Sequence, residues 1–363
     1  MNWIEDTENV FMSAPAEIDD SEEHWKQCTD HMNSFLDAAE HCALTGEMST
    51  TSTPQEHSHR EKSVLGYVGP ACVARPVSRK EASDNPKAKA AQDKEWSRLI
   101  DRGVWSYNEI REWDDIARDA RKKNETVHLG RIFGIMVEKG SELPEGDPNR
   151  KFKYRVVFQG NNVVTQNWEA ALFQDLGSSP ASMEASKAAD AYGSFPGHDM
   201  EQADAEQAYV QAYLEGVDTW ICLPDECIQL QSYRHLFFDK KGNRKHRKPC
   251  VRFIKALYGH PDAGSCWELH CDRRMKAFGF EPITDWPSCY FHKKLRLMLM
   301  VYVDDFKIAG PRANLKECWD LICKAVEMGR NEGPGLFLGC NHERFERTLS
   351  TGVQVRGLSY NME

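Results

Sequence analysis

The chain has 363 residues, 40% of them apolar and ten of them tryptophan, enough to bury a core in one large or two smaller domains. Its net charge of −10 argues against a uniformly basic nucleic-acid binder, but the charge is uneven: residues 1–60 hold thirteen Asp/Glu against two Lys/Arg, and the remainder holds 44 basic and 43 acidic side chains. The longest apolar run, Leu297–Val303, is far too short for a bilayer span, and the twelve cysteines form no CxxC pair of the zinc-ribbon kind.

Residues 1–86 read as an acidic, largely disordered tail or linker, closing on a Ser/Thr run and a loop-rich stretch. One amphipathic helix is expected inside it around Glu22–Cys42, where Trp25, Cys28, Met32, Phe35 and Leu36 recur at helical spacing. A helix is predicted from Lys87, with Ala91, Glu95/Trp96 and Leu99 along one stripe. Residues 127–139 and 151–160 read as a hairpin across a Gly146-Asp147-Pro148 turn. A helix is expected over 180–193, opening at Pro180.

From there strands and helices alternate. Strands are expected at 198–204 and 219–223, flanking a short helix Glu206–Leu214, and a further helix at Asp262–Phe278. Two strands follow over 288–303, with Asp304 and Asp305 in the turn and a return strand at 306–310. A helix over Asn314–Met328 and a last strand at 336–340 complete the series. The order predicts an α+β class, a sheet with helices on one face.

The paired aspartates of Tyr302-Val303-Asp304-Asp305 carry the sharpest chemistry. Adjacent carboxylates between two apolar strands fit either a solvated hairpin turn or a metal site, because neither side chain can be buried unpaired. Asp204, at another strand end, is a second hard-oxygen donor of the type Mg²⁺ or Mn²⁺ requires, or else an N-cap for the helix after it. Two such ions serve phosphoryl transfer, one at the attacking oxygen and one at the leaving pyrophosphate.

The residues around these aspartates resemble the reverse-transcriptase domain of copia-type retrotransposon polyproteins. The landmarks occur in family order: AQDKEWSRLIDRGVW (91–105), KYRVVFQGN (153–161), DAEQAYVQAYLEG (204–216), ALYGHPDAGSCW (256–267), YVDD (302–305) and FLGC (337–340). They extend over residues 88–342, roughly seventy per cent of the chain. The resemblance implies a fingers-like part at 87–195 and a palm at 196–342 built on a ferredoxin-like βαββαβ sheet. It implies a truncated C-terminal extension at 343–363, with the thumb absent or partial.

By that resemblance Asp204 and Asp304 are the principal ligands of Mg²⁺ or Mn²⁺, with Asp305 a weaker carboxylate. Lys153 and Arg155 hold the incoming triphosphate or else line a solvated strand face. Tyr209 gates the sugar 2′ position by steric crowding, or is a core aromatic. Asp262 stands where the family commonly has a glutamine that contacts nucleotide or template, and two family cations are missing beside it.

Arg234–Lys255 holds nine Lys/Arg against Asp239 alone, interleaved with Phe237, Phe238 and Phe253. Lys240, Lys241, Arg244, Lys245, Arg247 and Lys248 therefore either track a nucleic-acid backbone or keep an exposed loop soluble. The implied partners are an RNA or DNA template with its primer, deoxynucleoside triphosphates and other polyprotein domains. The expected setting is a reducing, cytoplasmic compartment with passage to the nucleus, without secretion or a membrane anchor. An inactive element remnant that only binds nucleic acid is the second reading, and a palm-fold nucleotidyl transferase or cyclase the third.

Overall fold

The computed structural model describes residues 74–173, 179–348, 352 and 354–361. Of the tail or linker expected over residues 1–86, the part before residue 74, with its amphipathic helix, lies outside the described residues. The rest is corrected, because Arg75 and Pro76 pair with Glu138 and Val137 and the Ser78 side chain caps a helix over Arg79–Asp84. The described chain mixes helices with several sheets, an α+β class.

The elements begin with β1 (Arg75–Pro76), α1 (Arg79–Asp84), α2 (Pro86–Asp101), β2 (Trp105–Glu112), α3 (Trp113–Lys123), β3 (Val127–Lys139), β4 (Lys151–Phe158) and β5 (Val164–Thr165). Then come α4 (Met183–Gly193), β6 (His198–Asp204), α5 (Ala208–Gln211), β7 (Asp218–Cys222), α6 (Asp225–Ile228), α7 (Arg234–Phe237) and β8 (Pro249–Phe253). The last are α8 (Ala263–Ala277), β9 (Glu281–Pro282), β10 (Cys289–His292), β11 (Leu297–Tyr302), β12 (Asp305–Pro311), α9 (Arg312–Ala325), β13 (Leu336–Phe337), β14 (Cys340–Thr348) and β15 (Gln354–Asn361).

The chain forms two compact units from discontinuous segments: described residues 74–173 with 209–267, and 179–208 with 268–361. This partition differs from the expected sequential split at 195/196, because 209–267 joins the first unit rather than the strands on either side of it.

In the first unit β3 is the organising strand. Its first half pairs in parallel with β7 and antiparallel with β5, and its second half pairs with β4, whose partners run from Ile132↔Phe158 to Lys139↔Lys151. Gly130 and Gly134 leave room for rings of β4 to lie against β3: a Cβ at Gly130 would lie 2.2 Å from the Phe158 ring, and one at Gly134 1.7 Å from the Tyr154 hydroxyl. Helix α2 is started by Asn85, whose side chain accepts from the Lys87 and Ala88 amides, with Pro86 in the first turn. Its buried stripe runs through Ala88, Gln92, Trp96 and Leu99, rotated from the expected one through Ala91 and Glu95. The 219–223 strand, expected with 198–204 to flank a short helix of the 196–342 palm, is instead β7 in this unit's sheet. Thr219, Trp220 and Ile221 are buried there between β3 and β8, as suits an interior strand.

The second unit holds a five-stranded antiparallel sheet in the order β6-β12-β11-β10-β9. Strands β6 and β11 run parallel with β12 between them, and residues 328 and 332 bridge to the free side of β6 at Ala205 and Gln202. Helices on one face only were expected, and the structure corrects this. Trp319 of α9 donates to Glu201 on one face, while Asp190 of α4 pairs with Lys307 on the other. The reason is compositional: β11 reads LMLMVY, apolar on both faces, so both need cover. Helix α4 starts at Met183, later than Pro180, because the Ser182 hydroxyl accepts from the Ala185 amide.

The expected last strand at 336–340 is instead the corner of a hairpin. Leu338 and Gly339 both have positive φ, 50° and 78°, and connect β13 to β14, which pairs with β15 in a three-stranded sheet.

Candidate functional site

Strand β6 ends on Asp204 and β12 begins on Asp305, and the two are direct cross-strand partners. Tyr302 faces Asp305 across the hairpin whose two-residue turn is Val303-Asp304. Val303 has φ 58°, a left-handed backbone that a β-branched residue adopts at a cost of about 1–3 kcal/mol. The corner is held by main-chain bonds: the Ala205 amide donates to the Asp304 carbonyl (2.6 Å), and the Gly329 amide donates to the Asp204 carbonyl (2.7 Å). The helix that Asp204 was expected to cap at Glu206 begins instead at Ala208, so its place is a strand end.

The electrostatics follow from this crowding. Burial, then a hydrogen bond with Asp204, then the charges of Asp304 and Asp204 push the Asp305 carboxyl up to about 7. A hydrogen bond between two carboxyl groups needs a proton on one of them. Asp204 is exposed, Asp304 and Asp305 are half-buried, and Tyr302 is 37% exposed, so the corner is open to solvent.

The Mg²⁺ or Mn²⁺ implied by the resemblance suits this chemistry in one respect: two neighbouring carboxyls that form no salt bridge among the described residues are a hard-oxygen donor pair. Among the described residues no group of three or more His, Cys, Asp or Glu side chains is arranged to hold one ion. The fit is therefore to an ion held by one or two carboxylates and completed by phosphate oxygens and water.

The other expected site residues belong to the first unit. Lys153 and Arg155 are exposed on β4, and burial, with the charge of Arg155 next, pulls the Lys153 ammonium below its usual range. The Arg155 guanidinium lies 4.9 Å over the Tyr258 ring, which meets Tyr209 edge-on at 4.6 Å. Tyr209 is half-buried, so it is not a sealed core aromatic. Asp262 precedes α8, its carboxyl pushed up by burial, and its carbonyl accepts from the Cys266 amide and the Ser265 hydroxyl.

The basic loop is more tied down than its composition suggests. Arg244 pairs with Asp225 (2.8 Å), Lys245 donates to the His235 carbonyl, Arg247 pairs with Asp114 (3.3 Å) and Lys248 lies 5.8 Å over Trp168. Asp239 shapes the loop by accepting from the Lys241 and Asn243 amides. Lys240 and Lys241 are exposed without a salt bridge among the described residues.

A polar cluster unforeseen in the sequence lies under the same sheet. Lys307, two residues along β12 from Asp305, bonds Asp190 (2.8 Å), Ser186 (3.1 Å) and His342 (3.3 Å), and Tyr360 donates to Asp190 (3.0 Å). The Lys307 and Asp190 side chains are each 3% exposed. Its signal was a lysine inside the apolar run FKIAG.

No protein-family model matches this sequence, and no curated protein matches it. Among the described residues no helix is long and apolar enough to cross a membrane.

Proposed function

We propose that the chain is the polymerase module of a copia-type reverse transcriptase, adding deoxynucleotides to a primer 3′-hydroxyl on an RNA or DNA template. The observation that carries the reading is the register that sets Asp305 opposite Asp204 with Asp304 in the adjoining turn. The split strand–helix–strand order of that sheet, with β12 between β6 and β11, is compatible with the ferredoxin-like palm that the resemblance implies.

In this reading Asp204, Asp304 and Asp305 hold the divalent cations, Mg²⁺ or Mn²⁺. When bound, these supply Lewis acidity at the attacking and leaving oxygens. The protein's own part is positional. The main-chain bonds at Ala205 and Gly329 fix the two strand ends, and the crowding of Asp305 by Asp204 and Asp304 holds a proton at that corner until about pH 7. Lys153 and Arg155 bind triphosphate oxygens, the guanidinium of Arg155 steadied on Tyr258. Tyr209 crowds the sugar edge, and Asp262 occupies the position of the nucleotide-contacting glutamine.

The test is incorporation of deoxythymidylate on an oligo(dT)-primed poly(rA) template with either cation. The wild-type chain is expected to extend the primer, and Asp304→Asn to lower the rate at least about 100-fold with the fold unchanged. Equal rates would reject the assignment.

One observation favours the second reading, a remnant that only binds nucleic acid. Asp262 adds a carboxylate where the family has a neutral amide, and burial raises the cost of its charge. Salt-dependent binding without incorporation under either cation would select it.

A further inference from the structure

Strands β7 and β8 are antiparallel, and Cys222 and Cys250 stand directly opposite each other on them. Their Sγ atoms are 3.2 Å apart, and both are free thiols. Directly opposed residues on antiparallel strands have Cα atoms about 4.5–5.5 Å apart, within the roughly 4.4–6.8 Å that disulfides span. Side-chain rotation is therefore enough to bring the sulfurs to bonding distance.

We propose that Cys222 and Cys250 form a redox-modification site, a cross-strand dithiol that peroxides oxidise to an intrachain disulfide. The two thiols are unequal. Cys222 is partly exposed and Cys250 fully buried, so an oxidant in solution reaches Cys222 first. The hydrogen bond with Cys250 pulls the Cys222 thiol down against its burial, helped by Arg131 and Lys248, while the same bond and burial push Cys250 up. Cys222 is thus the attacking sulfur and Cys250 the resolving one.

The Cys222 thiolate attacks one peroxide oxygen, the O–O bond breaks, and the departing hydroxide takes a proton to become water. The sulfenic acid on Cys222 is then attacked by Cys250. The S–O bond breaks, and water leaves with the Cys250 proton. Two thiols and one hydrogen peroxide give one disulfide and two waters, the two electrons passing from the sulfurs to the peroxide. The bond encloses the segment between β7 and β8 that carries Lys240 and Lys241. This site does not rest on the polymerase reading.

The test treats the full chain with graded hydrogen peroxide, alkylates the remaining thiols and maps peptides under non-reducing conditions. The expected product is two hydrogens lighter, contains a Cys222–Cys250 linked peptide and reverts with dithiothreitol. In Cys250→Ser, dimedone is expected to label Cys222, the sulfenic acid having no resolving partner. Oxidation that leaves both thiols alkylatable, or joins either to another cysteine instead, would overturn the proposal. The peptide map of the wild-type chain decides this even if the variant does not fold.

Discussion

Asp305 faces Asp204 across neighbouring antiparallel strands, and the two carboxyl groups share a hydrogen bond. A pair of acids so placed binds its proton more tightly than the unfolded chain does, and this gives a pH dependence of known sign. Asp305 lies at about 7 against an ordinary value of 3.8. Its contribution to stability is complete below pH 3.8 and is lost as pH rises through about 7. Asp305→Asn removes that loss, so the variant is expected to gain on the wild type between pH 5 and 8. The gain is on the order of 1 kcal/mol once partial exposure is discounted. Thermal melts of both proteins across this range check it, and parallel profiles would refute it.

Lys307 and Asp190 form the most deeply buried ion pair among the described residues. Burial pulls the Lys307 ammonium below its usual range, and Asp190 opposes that pull. Lys307→Met leaves Asp190 without its cation and is expected to cost about 3–5 kcal/mol in urea unfolding. The double variant Lys307→Met/Asp190→Leu is expected to recover much of that loss, since a buried pair replaced by apolar groups is often close to neutral. A double variant as unstable as the single would show that the loss comes from packing rather than from the stranded charge.

Tyr209 is expected to limit ribonucleotide use. Tyr209→Ala should lower the preference for deoxynucleotides over ribonucleotides at least about tenfold, by opening space at the sugar 2′ position. An unchanged ratio with unchanged activity would make Tyr209 a packing residue of the Arg155–Tyr258–Tyr209 contact.

Lys240 and Lys241, exposed in the basic loop, are expected to supply phosphate contacts. Replacing both with alanine should reduce the slope of log affinity against log salt by about two for duplex binding. The same slope in the variant would leave this loop as a solvated surface.

The two strands of the Val303-Asp304 hairpin were legible because their apolar runs, LMLMVY and FKIAG, are short, dense and bounded by turn residues. The expected 127–139 and 198–204 strands also match β3 and β6 end to end. Strand β2 was not foreseen because WSYNEIRE does not alternate: its pairing with β8 shifts register between Ser106 and Ile110. Helix α3 did carry its signal, Trp113, Ile116, Ala117 and Ala120 at helical spacing, but the charged residues between them masked it. Strand β8 was hidden by its neighbours, since the basic loop drew all of 234–255 into one charged stretch. Proximity of Asp204 to Asp305 followed from no local pattern, because register between strands a hundred positions apart is set by packing of the whole sheet. The same holds for Lys307: one lysine in an apolar strand announces a buried partner without saying which acid it is.

The claim that Asp204 and Asp305 together grip a divalent cation is tested most directly by Mn²⁺ binding, followed by the loss of the free-ion paramagnetic resonance signal. At pH 8 the wild-type chain is expected to bind the ion, and the affinity to fall as pH drops through about 7, where a proton competes for Asp305. Asp204→Asn and Asp305→Asn are each expected to weaken binding at least about tenfold. Equal Mn²⁺ affinity in all three proteins, without dependence on pH, would contradict the claim.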